Sequence, residues 1–310
     1  MDRQLLFFTP VFKEKIWGGN KLREVFGYDT KSDKTGECWA ISAQPGSEST
    51  CITEGYEGKT LSTLWNTDSY LFGEYYSDRF PLLVKFIDAK EDLSIQVHPS
   101  DDYARIHENG SLGKQECWYV CDAAPDAQVV LGHNARTREE LDTLVDSKRY
   151  DELLRLKDIK KTDFVKIEPG TIHAIKAGTM VLEIQQNSDV TYRFYDYDRL
   201  ENGKPRELHI EQAKEVISVP ETNGFIFPTS GGEGVHELYT CEYFSVKKIN
   251  VKGAFSLGTD GDAFNIVTCV EGSGTADGTP VKAGSNFIIP HGYGISHFTG
   301  NMTLIVSKPV

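Results

Sequence analysis

Residues 93–98 read Leu93-Ser-Ile-Gln-Val-His98, and their alternation decides the fold. Leu93, Ile95 and Val97 fall on one side of an extended chain, while Ser94, Gln96 and His98 fall on the other. Period-two alternation marks a half-buried strand, and Pro99 ends it by withholding a backbone donor. Gln96 and His98 therefore stand side by side on one face. In a barrel whose other face packs against an outer layer they point inward, where polar groups are costly unless something binds them.

On either side of this segment the chain runs in short strands broken by Gly, Pro, Asn and Asp turns, the rhythm of an all-β sandwich or barrel. Helices are the exception. Thr137 and Glu140 have capping-box spacing, and Leu141, Leu144 and Val145 follow at helical intervals. Leu153, Leu154 and Leu156 continue the run, which predicts a two-helix insertion near 137–157. Ser100 is placed to cap a short helix over 101–107, and 209–217 reads as another that stops near Pro220. Around 227–233 the composition turns to PTSGGEG, a flexible linker that divides the chain into a catalytic unit, 1–230, and a second β unit, 231–310.

The formal net charge of -13, with no Lys/Arg run, argues against a nucleic-acid partner. It does not argue against a small phosphorylated ligand, which needs only a few well-placed cations. No stretch approaches the roughly 20 apolar residues of a membrane helix. The apolar start of the chain has Asp2 ahead of it and no small-residue cleavage site after it, so the expected location is the cytoplasm. Nothing in the sequence dictates an oligomeric state. The six cysteines form no CxxC pair; Cys117 and Cys121 lack the two further ligands of a closed zinc site and are expected as free thiols.

Partners for Gln96 and His98 come from two other segments. Lys114-Gln-Glu116-Cys-Trp118 carries a carboxylate at the entrance of a strand, and Glu168-Pro-Gly-Thr-Ile-His173 launches a strand from a tight turn at Pro169 and Gly170. Gln96, His98, Glu116 and His173 make a mixed nitrogen and oxygen set suited to Zn²⁺, with water or substrate at an open position; manganese or iron also matches. A lone buried histidine is ordinarily a satisfied core residue, but that account must explain all four residues together.

PGTIHAI at 169–175 resembles the second motif of the cupins, and IQVHP at 95–99 stands where their first motif has HxH, with Glu116 delayed by an inserted loop. Residues 270–294, VEGSGTADGTPVKAGSNFIIPHGYG, resemble a cupin half-motif without its metal ligands, a degenerate copy. Together with KIWGG at 15–19, PLLVKFIDAKEDLSIQVHPSD at 81–101, GKQECWYV at 113–120 and SDVTYRFYDYDR at 188–199, the chain resembles the mannose-6-phosphate isomerases, type I superfamily, in their short bacterial form. The likeness covers most of 1–210. It implies a mainly β protein: a cupin jelly-roll barrel with helical insertions, then a second, degenerate cupin-like β domain. It also implies one zinc per chain on Gln96, His98, Glu116 and His173, an active-site arginine at Arg193, and isomerisation of mannose 6-phosphate and fructose 6-phosphate through an enediol.

Thr191, Arg193 and Tyr195 alternate onto one face, so the guanidinium can point inward between hydroxyls; the alternative is a surface ion pair with Asp189 or Asp196. Glu183, inward by alternation with Leu182 and Ile184, Lys90 and Lys114 are the candidate proton carriers. Lys90, Lys114 and Arg193 are the candidate contacts for the substrate phosphate. Two other classes fit a metal-bearing cupin: a sugar-binding module without turnover, and an Fe²⁺ dioxygenase.

Overall fold

The computed structural model describes residues 4–73, 77–221, 224–229, 231–259 and 263–310. Its N-terminal part is two sheets packed face to face. The larger runs in the order Phe225–Pro228, Asp163–Ile167, Glu116–Ala123, Thr179–Gln186, Leu82–Ala89, Val11–Gly19, Thr35–Ile41. The smaller runs Tyr192–Tyr195, Ile95–Val97, His173–Ile175, Gln128–His133, Leu154–Asp158. Trp118, Val120, Val165 and Val181 of the large sheet meet Val129, Leu131 and Ile175 of the small one in a shared core, so the inner faces close into a barrel.

Every residue of Leu82–Ala89 and Thr179–Gln186 is buried, because the large sheet is covered on both sides. Its outer face, with Val84, Phe86, Leu182 and Ile184, packs against Leu61 and Leu64 and against Phe244, Val246 and Ile305 of the C-terminal part. Polar residues on its inner face, Lys85 and Glu183 among them, are buried and find partners inside the barrel. The small sheet is backed by helices: Ile95, Val97, Ala174 and Phe194 pack on Leu141, Leu144, Ala213 and Ile217.

Thr137 caps the helix Arg138–Asp146 by accepting from Glu140 N, and Ser100 caps Asp101–His107 in the same way. A third helix spans Ile210–Val216. The expected second helix of the insertion is a single turn, Tyr150–Leu153, and Leu154–Asp158 is a strand on the edge of the small sheet. Leu153 is buried but Leu156 is 50% exposed, so these leucines never shared a helical face, and pairing with Gln128–His133 wins. The anticipated linker is likewise partly a strand: Phe225–Pro228 completes the large sheet against Asp163–Ile167, and the glycine-rich turn comes after it. Ser230 lies outside the described residues.

The C-terminal sheet is built on two 15-residue strands, Phe244–Gly258 and Ile295–Pro309, paired along their whole length. It also takes in the first strand of the chain, Leu6–Thr9, which pairs Leu6 with Ile288 and Phe7 with Phe287. All six cysteines are free thiols. Among the described residues, no helix is long and apolar enough to cross a membrane.

Candidate metal centre and its cavity

Antiparallel pairing sets His173 directly across from Gln96, and His98 follows on the same face of its strand. Glu116, first residue of the facing Glu116–Ala123 strand, closes the cluster from the large sheet. His98 Nε2 lies 3.4 Å from Glu116 Oε2, His173 Nε2 3.4 Å from Glu116 Oε1, and Gln96 Nε2 3.4 Å from His173 Nε2. The candidate ligand atoms of His98, Glu116 and His173 all lie within 4.8 Å of one another, the single such grouping among the described residues. Cys117 and Cys121 fall on the opposite face of the strand and pack in the outer core.

The hydrogen bonds around the rings fix what the cluster can do. His98 Nδ1 is 2.9 Å from Val190 O and His173 Nδ1 is 2.9 Å from Thr171 O. A carbonyl only accepts, so each Nδ1 carries the proton and each Nε2 turns a lone pair toward Glu116. Burial and the neighbouring Lys114 push the His98 pKa down to about 3, and burial lowers that of His173. Burial alone would raise the Glu116 pKa, but the Lys114 ammonium foremost outweighs it, and the carboxyl is held well below the usual range. Neutral imidazoles and an ionised carboxylate are the protonation state a divalent cation requires. Both Glu116 oxygens are buried and accept no hydrogen bond of good geometry, although Lys114 Nζ lies 2.9 Å from Oε2. A buried carboxylate left this way is costly, and a metal ion satisfies it. His98, Glu116 and His173 therefore fit a metal of the zinc type, and the Gln96 amide stands beside them.

Beside the cluster runs a chain of alternating charge. Lys114 Nζ is 2.9 Å from Glu116 and 3.9 Å from Glu183, and Glu183 is 2.6 Å from Lys85 Nζ. Trp118 Nε1 donates to the other Glu183 oxygen at 3.1 Å. Burial would lower the Lys85 pKa, but Glu183 and Glu37 raise it above its ordinary value, so Lys85 stays a cation. Of the sequence candidates, Lys114 and Glu183 meet here. Lys90 does not: it is exposed past the end of Leu82–Ala89 and lines no part of the cavity. Lys85, on the inward face of that strand, occupies the place expected of Lys90.

Arg193 is paired in register with Gln96. Its Nε donates to Ser94 Oγ at 3.0 Å and its Nη1 to Glu207 O at 3.0 Å. It makes neither of the ion pairs considered from the sequence, because Asp196 is taken by Arg199 and Arg206 and no pair forms with Asp189. A bulge between Arg193 and Tyr195 breaks the expected alternation, and Tyr195 stacks on Tyr150, away from the cavity that Thr191 and Arg193 line. That cavity, about 510 Å³, opens above the metal cluster. Its walls carry Lys13, Lys15, Lys85, Lys114, Arg193 and Arg206 against the carboxylates of Glu37, Glu183 and Asp189. In a chain of net charge -13, that excess of cations marks a site for an anion. Lys13, Lys15 and Arg206 were not singled out from the sequence, because nothing local distinguishes them from surface charges.

Residues 5–127 match the family described as phosphomannose isomerase type I, catalytic domain, and residues 235–309 match the mannose-6-phosphate isomerase cupin domain. The chain is 46% identical to the mannose-6-phosphate isomerase ManA of Bacillus subtilis, covering 99% of each chain. It superposes on a crystal structure of the Bacillus subtilis mannose 6-phosphate isomerase with a TM-score of 0.94 and 47% identity, covering 98% of this chain and 99% of that one. A zinc-bound mannose 6-phosphate isomerase shares the fold at 16% identity and a TM-score of 0.78, covering 98% of this chain and 99% of that one.

Proposed function

Because the chain belongs to the type I phosphomannose isomerase family, we propose that it interconverts mannose 6-phosphate and fructose 6-phosphate, an aldose–ketose isomerisation through an enediol. The observation that carries this reading is the placement of Arg193, in no ion pair with a carboxylate among the described residues, on the wall of a cation-rich cavity directly beside the metal-type cluster. Turnover separates an isomerase from a sugar-binding module, and the cations around the cluster suit a phosphorylated ligand better than they suit an iron dioxygenase.

One Zn²⁺ per chain, held by Gln96, His98, Glu116 and His173, would act as a Lewis acid toward the sugar oxygens. The rest belongs to the chain. Removing a proton beside the carbonyl places negative charge on oxygen, and Arg193 offers planar donors that stabilise it without surrendering a proton. Ser94 and the Glu207 carbonyl hold that guanidinium in orientation before substrate arrives. Glu183, held by Lys85 and Trp118 and lining the cavity, is the group we assign to carry the proton between C2 and C1. Lys114 bridges Glu183 and the metal ligands and is placed to contact the substrate hydroxyls. Trp17, Trp39 and Trp118 wall the cavity and limit water beside the reacting carbons. A sugar phosphate does not cross membranes unaided, so we place the reaction in the cytoplasm.

A coupled assay of the purified, zinc-loaded protein on mannose 6-phosphate tests the proposal: fructose 6-phosphate should accumulate to equilibrium, and no turnover with full metal occupancy would overturn it.

A further inference from the structure

The six cations of the cavity are not equivalent. Lys15 is held by Glu37 at 3.4 Å, Lys85 by Glu183 at 2.6 Å, Lys114 by Glu116 at 2.9 Å, and Arg206 by Asp196 at 2.6 Å. Each of these four has a carboxylate beside it, Asp196 being shared with Arg199. Among the described residues, only Arg193 and Lys13 of the six pair with none. Arg193 stands beside the metal ligands, whereas Lys13 belongs to Val11–Gly19, on the large sheet beyond Leu82–Ala89 and Thr35–Ile41. A ligand with one charge developing at its reacting end and a permanent one at its far end has this distribution.

We infer that Lys13 and Ser47 anchor the 6-phosphate of the sugar, an inference that rests on the isomerase reading of the same site. Lys13 Nζ donates to Ser47 Oγ at 2.5 Å and lies 5.1 Å from the centre of the Trp39 ring. The serine oxygen is thereby occupied as an acceptor, and its own hydrogen goes to no protein group among the described residues, leaving a donor for a phosphate oxygen. Trp39 is committed through Nε1 to Glu37 at 2.8 Å, so it presents only its ring face, which keeps the ammonium in place without neutralising it. Ser47 reaches the site from the loop after Thr35–Ile41, so the anchor is built by the N-terminal strands and the catalytic groups by later ones. Phosphate at Lys13 directs the other end of the sugar toward Arg193 and the metal ligands.

The test is steady-state kinetics of Lys13→Met, Lys13→Arg and Ser47→Ala on mannose 6-phosphate, with inorganic phosphate as competitive inhibitor and a melting curve on each preparation. Lys13→Met should raise KM roughly tenfold or more, the scale of one lost charge-assisted hydrogen bond, with kcat little changed. The inhibition constant of phosphate should rise by the same factor, and Lys13→Arg should recover most of both losses. Ser47→Ala should shift both constants in the same direction by a smaller factor, and it carries the test if Lys13→Met melts early. Unchanged KM and unchanged phosphate inhibition in folded Lys13→Met and Ser47→Ala overturn the anchor, as does a loss confined to kcat. If the unmodified enzyme does not turn over mannose 6-phosphate, the isomerase reading fails instead, and calorimetric titration of inorganic phosphate into the unmodified and Lys13→Met proteins still decides the anchor.

Discussion

His98 and His173 each keep their Nδ1 proton on a backbone carbonyl, so the fold dictates which ring nitrogen faces the metal position. His98→Ala or His173→Ala should therefore abolish both zinc retention and turnover, while Cys117→Ser and Cys121→Ser, on the opposite face of the Glu116–Ala123 strand, should keep the metal. Elemental analysis after gel filtration separates the two groups; zinc retained in both histidine variants and lost in the cysteine ones would place the site elsewhere. Arg193→Lys should keep zinc and melting temperature but lower kcat by roughly 10²–10³, because a point-charge ammonium cannot reproduce oriented planar donors. A merely structural Arg193 gives the reverse, a lower melting temperature with near-normal kcat. The shared face of Gln96 and His98 was legible because strict alternation over residues 93–98 forces it. Lys85 was not, because it sits inside PLLVKFIDA at 81–89 and reads there as one polar interruption of an apolar strand. The usable signal was its cost: a lysine in a fully buried strand needs an acid, and Glu183 lies in register opposite it.

Each element delivers its side chains only if its ends hold. Thr137 caps Arg138–Asp146, whose Leu141 and Leu144 back the small sheet, so Thr137→Ala should cost about 1 kcal/mol by denaturant titration with the metal site intact. That cap was readable from four residues, whereas Leu154–Asp158 was not, since closely spaced leucines suit a helix or an edge strand and only the partner Gln128–His133 decides. Beyond the strand Tyr192–Tyr195, Asp196 joins Arg199 and Arg206 and so fixes the segment that brings Arg206 to the cavity. Burial raises the Asp196 pKa, but hydrogen bonds from Arg206 and Arg199 outweigh this and set it below its ordinary value. A carboxyl depressed in the folded state stabilises fully above the unfolded value, about 3.9, and loses that contribution as pH falls through the folded one. Asp196→Asn should thus lower stability by roughly 1–3 kcal/mol at pH 7 and by progressively less as pH falls below about 3.9. Urea titrations from pH 7 downward check the sign; a deficit that does not shrink at all below about pH 3.9 would mean the carboxylate charge is not the source.

At the scale of the molecule, composition divides the chain near residue 230, yet the structure ties both halves together in two places. Leu6–Thr9 pairs with Asn286–Ile289, and the core on the outer face of the large sheet draws Phe86 and Leu182 from one half and Phe244, Val246 and Ile305 from the other. Neither tie was legible, because a strand of four residues carries no local sign of a partner some 280 positions away. The large sheet thus has its outer face covered in full only while the C-terminal sheet is in place, and the C-terminal sheet takes in a strand supplied by the N-terminal part. Neither half can lose its structure without exposing apolar surface of the other. We therefore predict one cooperative transition, with calorimetric and van't Hoff enthalpies equal and with loss of activity coinciding with loss of C-terminal structure. Leu6→Ala is the sharpest probe, since Leu6 is fully buried, far along the chain from His98, Glu116 and His173, and belongs to the shared core. It should shift the whole transition by about 2–5 kcal/mol without splitting it. Two resolved transitions, or a Leu6→Ala protein whose C-terminal sheet melts while isomerase activity persists, would show instead that the halves fold independently and that the crossing strand only decorates their contact.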